Sequence, residues 1–310
     1  MNHPVSPRRT LAALTGALLT LGLLAGCGDD DADPAASDPT SQGTASSDAT
    51  TDATGSPTGS PTTGGTTGTA DPEVIPVYYV GDTPDGDRLF REFTQSSGVA
   101  PLVAAAAAVT EGDPVDPDYR TPWPSGRFAS ITQTSTAIVV EVAEESWLEA
   151  GSLDADLAEL AVQQLVYTLQ GTIGKRLPVT VEYDGRPADT LLGVSTAGGL
   201  KAAPQLDVLA FMNVTEPAEG TTVPDSFTAT GRTSSFEATV GWTIEDATGT
   251  AVLEGFATAE GWIDKLYPWK TKVDVSSLDA GTYTFIARTD DPSGGEGPGP
   301  TEDTKRITIE

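Results

Sequence analysis

Between Gly28 and Pro72 the chain uses only Gly, Ala, Ser, Thr, Pro and Asp with one Gln; Lys, Arg, aromatic and branched aliphatic residues are all missing. A stretch of this kind has no side chain with which to bury apolar surface and offset the entropy of ordering its backbone. Residues 27–72 are therefore expected to form a disordered tether, with an r.m.s. span of roughly 35–40 Å for a flexible chain of that length. Asp29, Asp30, Asp31 and Asp33 read as solvated charges beside flexible residues rather than as a metal cluster. Folding is left to the residues beyond, and a chain of 310 residues allows two compact domains there.

Ahead of the tether, Arg8-Arg9 precedes an apolar run from Leu11 to Leu24, which ends in Ala25-Gly26-Cys27. A positive segment, a short apolar core and small residues at a cleavage point are the order of a secretory signal, and the run is too short for the roughly 20 residues of a spanning helix. Residues 1–26 are expected to be removed. Leu24-Ala25-Gly26-Cys27 resembles a bacterial lipobox, which implies a covalent diacylglycerol and N-acyl lipid on Cys27 and attachment to the outer side of the cell membrane by two acyl signals. Arg8-Arg9-Thr10-Leu11 resembles a twin-arginine export signal and reads equally as a plain positive segment.

The removed segment would take Arg8, Arg9 and the only histidine, His3, with it, leaving 15 basic against 45 acidic residues and a net charge of −30. That charge disfavours nucleic acid as a partner. With no imidazole and no free thiol, Ser-His-Asp and Cys-His hydrolases and histidine-ligated zinc sites each lack an essential part, and one cysteine makes no internal disulfide. Carboxylate and calcium chemistry stay open.

Order begins at Val74-Ile75-Pro76-Val77-Tyr78-Tyr79-Val80, and the strand-like Arg88 to Phe93 follows the turn signal Asp85-Gly86, which predicts a hairpin. Alanine-rich Leu102 to Val109 predicts a helix, and Phe128 to Thr134 and Ala137 to Val142 predict two strands. Leu153, Leu157, Leu160, Ala161, Leu165 and Leu169 recur at helical spacing behind Ser152 as a cap, with Asp154 and Asp156 in the first turn. Val179 to Tyr183 predicts a strand and Asp184-Gly185 a tight turn. After a linker at 196–205, strands are expected at Leu206 to Val214, Ser226 to Thr230, Glu237 to Ile244, Ala251 to Thr258, Tyr267 to Val275, Thr282 to Arg288 and Lys305 to Ile309. Short strands at regular spacing imply a β-sandwich, with Trp242 in the core position.

The motifs Ile75-Pro76-Val77-Tyr78-Tyr79-Val80, Leu165-Val166-Tyr167-Thr168-Leu169 and Val179 to Gly185 resemble the sporulation and spore germination GerMN domain. Glu216-Pro217-Ala218-Glu219-Gly220, Val240-Gly241-Trp242, Gly281-Thr282-Tyr283-Thr284 and the Asp290 to Gly294 loop resemble the immunoglobulin-like domain of bacterial spore germination. The resemblance implies an α+β domain, a mixed α/β unit of GerMN type, at 73–195, followed by an all-β immunoglobulin-like sandwich at 206–310. It transfers no catalytic residue.

Four constellations qualify as candidate sites. Gly193-Val194-Ser195-Thr196-Ala197 narrowly misses the serine-hydrolase elbow and reads as a domain boundary. Glu144, Glu145 and Glu149 read as surface acids rather than a catalytic pair. Asp290, Asp291 and Glu296 offer oxygen ligands on a glycine-rich loop without the spacing of a dedicated calcium loop. Trp262, Tyr267 and Trp269, beside Lys265 and Lys270, form a candidate interaction patch, although strand alternation could equally place two of the rings in the core. The expectation is a non-catalytic, lipid-anchored, extracytoplasmic envelope protein with no cofactor, whose domains bind other envelope proteins or cell-wall glycan. The alternatives are a wall-directed carboxylate hydrolase or accessory subunit of a cell-wall enzyme, and a solute-binding lipoprotein.

Overall fold

The computed structural model describes residues 73–291 and 293–310. Cys27, the expected signal segment and the expected tether lie outside the described residues. The N-terminal part opens with a hairpin of β1 (Val74–Thr83) and β2 (Gly86–Gln95), closed at Thr83 opposite Gly86, followed by α1 (Pro101–Glu111) and β3 (Tyr119–Arg120), which pairs with β1. A second sheet contains β4 (Ser130–Gln133) and β5 (Ile138–Val142); α2 (Ala155–Ile173) then crosses over to β6 (Val179–Tyr183), which runs parallel to β5 and is edged by β7 (Arg186–Pro187). A small hairpin of β8 (Thr190–Leu191) and β9 (Val194–Ser195) completes this part.

Alternation explains the packing. Ile75, Val77 and Tyr79 point inward from β1, and Ile138, Val140 and Val142 from β5, against the buried stripe Ala158, Ala161, Leu165 and Leu169 of α2. The α2 cap is Asp154, whose carboxylate accepts the Leu157 amide at 2.8 Å, and not Ser152 as the sequence suggests. Capping two residues later places the carboxylate on the free amides of the first turn. At the other end Gly174 adopts φ 62°, a left-handed geometry that costs glycine nothing, and its amide reaches Gln170 and Gly171.

The expected linker is fixed to this domain. Leu200 and Val179 exchange two backbone hydrogen bonds of 2.8 Å, and the Gln163 side chain holds Lys201 and Ala203. The strand expected over Leu206 to Val214 divides into a short helical turn, α3 (Gln205–Val208), and β10 (Met212–Glu216). Pro204 favours the start of the turn, and the turn carries Leu206, Val208 and Leu209 onto one apolar cluster that an extended strand would split between two faces.

The C-terminal part is a sandwich. One sheet is β10, β12 (Ser226–Thr233) and β15 (Tyr267–Asp274). The other contains β11 (Thr221–Val223), β13 (Thr239–Glu245), β14 (Ala251–Thr258), β16 (Gly281–Thr289) and β17 (Glu302–Ile309), in the order β11-β17-β16-β13-β14. Strand β11, unforeseen from the sequence, pairs parallel with β17. The deepest indole of the sandwich is that of Trp269, 3% exposed; Trp242 is only half-buried, against Gly255 and Phe285, so the core position expected for it belongs to Trp269.

Candidate binding site at the domain seam

The two parts meet along a seam with three components. The first is apolar: Val80, Leu89, Leu160, Tyr167 and Leu209 pack together with Leu266, which the sandwich contributes. Backbone pairing continues it, since Leu89 bridges Leu209 and accepts the Ala210 amide.

The second component is a closed set of buried charges. The loop from Gly112 into β3 brings Asp116 and Tyr119 against β17, where Asp303 and Lys305 lie on the same inward face as Ile307 and Ile309. Lys305 is 3% and Asp116 is 1% exposed. The Lys305 ammonium donates to Asp116 Oδ2 at 2.5 Å, Asp303 Oδ1 at 2.7 Å and the Tyr119 hydroxyl at 2.8 Å, so all three of its protons are used. Tyr119 in turn donates to Asp303 Oδ1 at 2.7 Å, while Asp303 Oδ2 accepts the Val214 amide at 2.6 Å and Asn213 Nδ2 at 3.1 Å. Glu92 holds the approach loop from below by accepting the amides of Val115 and Asp116. Burial alone would lower the Lys305 pKa, but Asp303 and Asp116 together outweigh it and hold the ammonium above its ordinary value. Burial likewise pushes the Tyr119 hydroxyl well up, so it keeps its proton.

The third component is a small cavity of about 50 Å³, lined from the first domain by Tyr78, Arg91, Tyr167 and Arg176 and from the sandwich by Asn213 and Arg232. Arg91 Nη2 donates to Thr215 at 3.2 Å and Arg232 Nη2 to the Leu266 carbonyl at 3.2 Å, yet the Nε of each is buried without a partner. Burial, then the nearby Arg232, pulls the Arg91 pKa down, and burial pushes the Tyr167 hydroxyl up to about 12. A wider, open depression of about 790 Å³ lies on the first domain, with Asp85, Asp87, Asp154, Asp156 and Glu159 on its walls.

Of the sequence-derived candidates, the aromatic patch is altered most. Trp269 is part of the sandwich core and offers no surface, because inward phase on β15 sends it between the sheets. Trp262 and Tyr267 are half-buried; Trp262 meets Phe236 edge-on at 5.0 Å, Tyr267 donates to Asp264 at 2.7 Å, and Lys265 stands 5.3 Å over the Tyr267 ring. Ser195 is exposed on the β8–β9 hairpin, which is not the strand-turn-helix of a nucleophile elbow. Glu144, Glu145 and Glu149 are exposed around a short turn anchored by buried Trp147. Asp291 accepts hydrogen bonds from Ser293 and from the Gly295 amide, and among the described residues no three acids, histidines or cysteines gather in a metal-holding group. Among those residues, too, no helix is long and apolar enough to cross a membrane.

Sequence reasoning missed the seam itself, although a signal for part of it was present. Counting back by two from buried Ile309 and Ile307 puts Lys305 and Asp303 on the inward face, which predicts a paired buried charge. Nothing local announces Asp116 or Tyr119 as its partners.

Residues 76–189 match the family model described as sporulation and spore germination, and residues 211–296 match the immunoglobulin-like domain of bacterial spore germination. No curated protein matches. Among solved structures, CopC from Methylosinus trichosporium OB3b is 22% identical over 32% of this chain and 93% of its own, with a TM-score of 0.22. The endo-beta-1,4-mannanase from Thermotoga petrophila is 11% identical over 50% of this chain and 35% of its own, with a TM-score of 0.26. Neither likeness carries weight for function.

Proposed function

We propose that this chain, in which a sporulation and spore germination domain precedes an immunoglobulin-like domain of bacterial spore germination, is a lipid-anchored, non-catalytic envelope protein whose two domains act together as one docking head. The observation that carries this reading is the seam. Lys305, Asp116, Asp303 and Tyr119 satisfy one another across the domain boundary, so that the most buried reactive groups serve to fix two domains in one geometry. A head held in a single arrangement loses less entropy on binding than two domains on a free hinge.

The rest of the chain supports the same reading. The lipobox-like Leu24-Ala25-Gly26-Cys27 supplies an anchor, and the residues between Gly28 and Pro72, which have no means of packing, supply reach. A chain with 45 acids and 17 bases is repelled by anionic polymers and favours partners with basic or neutral faces. Membrane fractionation of cells expressing the wild type and Cys27→Ala tests the anchor. The wild type is expected in the membrane pellet and the variant in the soluble fraction, and unchanged retention of the variant refutes lipid anchoring. Incubation of the purified full chain with cell-wall fragments tests the absence of catalysis; release of soluble fragments that disappears on neutralising one acid refutes the docking role.

A further inference from the structure

From the seam cavity, we infer that the two domains together form a binding site for a small phosphate-class oxyanion, held by Arg91 and Arg232 with Arg176 at its rim. Three arginines line a space of about 50 Å³. The chain carries 45 acidic residues against 17 basic ones, yet among the described residues no carboxylate comes within ion-pair distance of Arg91, Arg176 or Arg232. Of the other described arginines, Arg120, Arg127, Arg288 and Arg306 each pair with a carboxylate, whereas Arg88 and Arg186 do not. In so acidic a protein, three guanidinium groups around one cavity with no counter-ion are an imbalance that a ligand would correct.

The neutral contacts of these side chains do not correct it. Arg91 lies 4.8 Å over the Phe93 ring, and Arg176 lies 5.3 Å over Tyr167 and donates to Gln170 at 3.2 Å. These contacts position the guanidinium planes but supply no negative charge. Thr215 and the Leu266 carbonyl take one nitrogen each from Arg91 and Arg232, and the Nε atoms of both stay buried and unpartnered. An Nε–H with an adjacent Nη–H is the fork that grips an oxyanion through two parallel hydrogen bonds. Buried water would satisfy the Nε donors, but it would leave two like charges facing each other in a poorly solvated space.

Size and charge define the ligand class. A cavity of about 50 Å³ takes a head group and is far below the several hundred Å³ that enclose a sugar or nucleotide. Arg91 and Arg232 present two positive charges, which a doubly charged tetrahedral oxyanion balances and a single carboxylate does not. Because Arg91 comes from β2 and Arg232 from β12, the ligand would bridge the domains, and its binding would tighten the seam.

The test is a titration of the full-length protein, in chloride buffer at constant ionic strength, with inorganic phosphate, methyl phosphate and acetate, followed by thermal midpoint and by ³¹P line broadening. Inorganic phosphate is expected to raise the midpoint saturably. Arg91→Gln and Arg232→Gln are each expected to weaken that effect about tenfold or more, the loss of a charge-assisted hydrogen bond, whereas Arg120→Gln keeps it. Arg176→Gln, at an exposed position that folding tolerates, is expected to weaken binding as well and gives a second reading should either buried variant unfold. Equal binding of methyl phosphate, which keeps the double charge, supports the site and assigns an esterified phosphate as its source; binding of inorganic phosphate alone supports it with the free ion as source. No saturable effect, an effect unchanged in Arg232→Gln and Arg176→Gln, or acetate matching phosphate overturns the inference.

Discussion

An ammonium group removed from water costs several kcal/mol unless partners recover it, and Lys305 recovers it through two carboxylates and a tyrosine hydroxyl drawn from both domains. Removing one member leaves the others as uncompensated buried charge. Lys305→Met is therefore expected to destabilise the protein by about 3–5 kcal/mol in denaturant titration, while Arg127→Met, at a surface ion pair whose arginine is 74% exposed, changes little. The same node sets a pH dependence. The Lys305 pKa in the folded protein lies above its ordinary 10.5, and that of Tyr119 lies well above 10.0. Their contribution is complete below those ordinary values and is lost as pH rises beyond them toward the folded ones. Thermal midpoints should hold near neutrality and fall above about pH 10, with a shallower fall in Lys305→Met; an equal slope in both proteins contradicts the assignment. At this scale the sequence is legible only where periodicity reaches. Asp303 and Lys305 can be placed inward by strand phase, but Asp116 is far away in sequence and sits in a loop that has no phase. Trp269 and Trp242 are both strand tryptophans, and phase alone did not decide which indole would sit deeper.

The elements follow local chemistry closely. Val179–Tyr183 and Tyr267–Asp274 form where branched and aromatic residues recur at alternate positions, and the Asp85-Gly86 turn closes the first hairpin. The departures arise where an element answers to packing across the seam. Leu206 to Val214 has strand composition, yet its first residues turn so that Leu206, Val208 and Leu209 share one cluster. Helix α2 connects β5 to β6 and packs along β1, so its ends matter to both sheets of the first domain. Asp154→Ala removes the side-chain acceptor for Leu157 and is expected to cost about 1 kcal/mol. Gly174→Ala forces an alanine to φ 62° and is expected to cost roughly 1–2 kcal/mol. Chemical denaturation checks both, and a neutral Gly174→Ala would show that the helix end relaxes into another cap.

At the scale of the whole molecule, the two family-matched domains are expected to behave as a single body because charge, apolar surface and backbone pairing all cross the boundary between them. The resemblance visible in the sequence named the two modules and their order, but it carried no information on how they join, because the contacts pair residues separated by most of the folded chain. Scanning calorimetry of the full-length protein tests the joining directly. One transition is predicted, with calorimetric and van't Hoff enthalpies in agreement, and Lys305→Met should divide it into two. Two resolved transitions in the wild type, or a Lys305→Met profile that stays single and unshifted, would contradict the account.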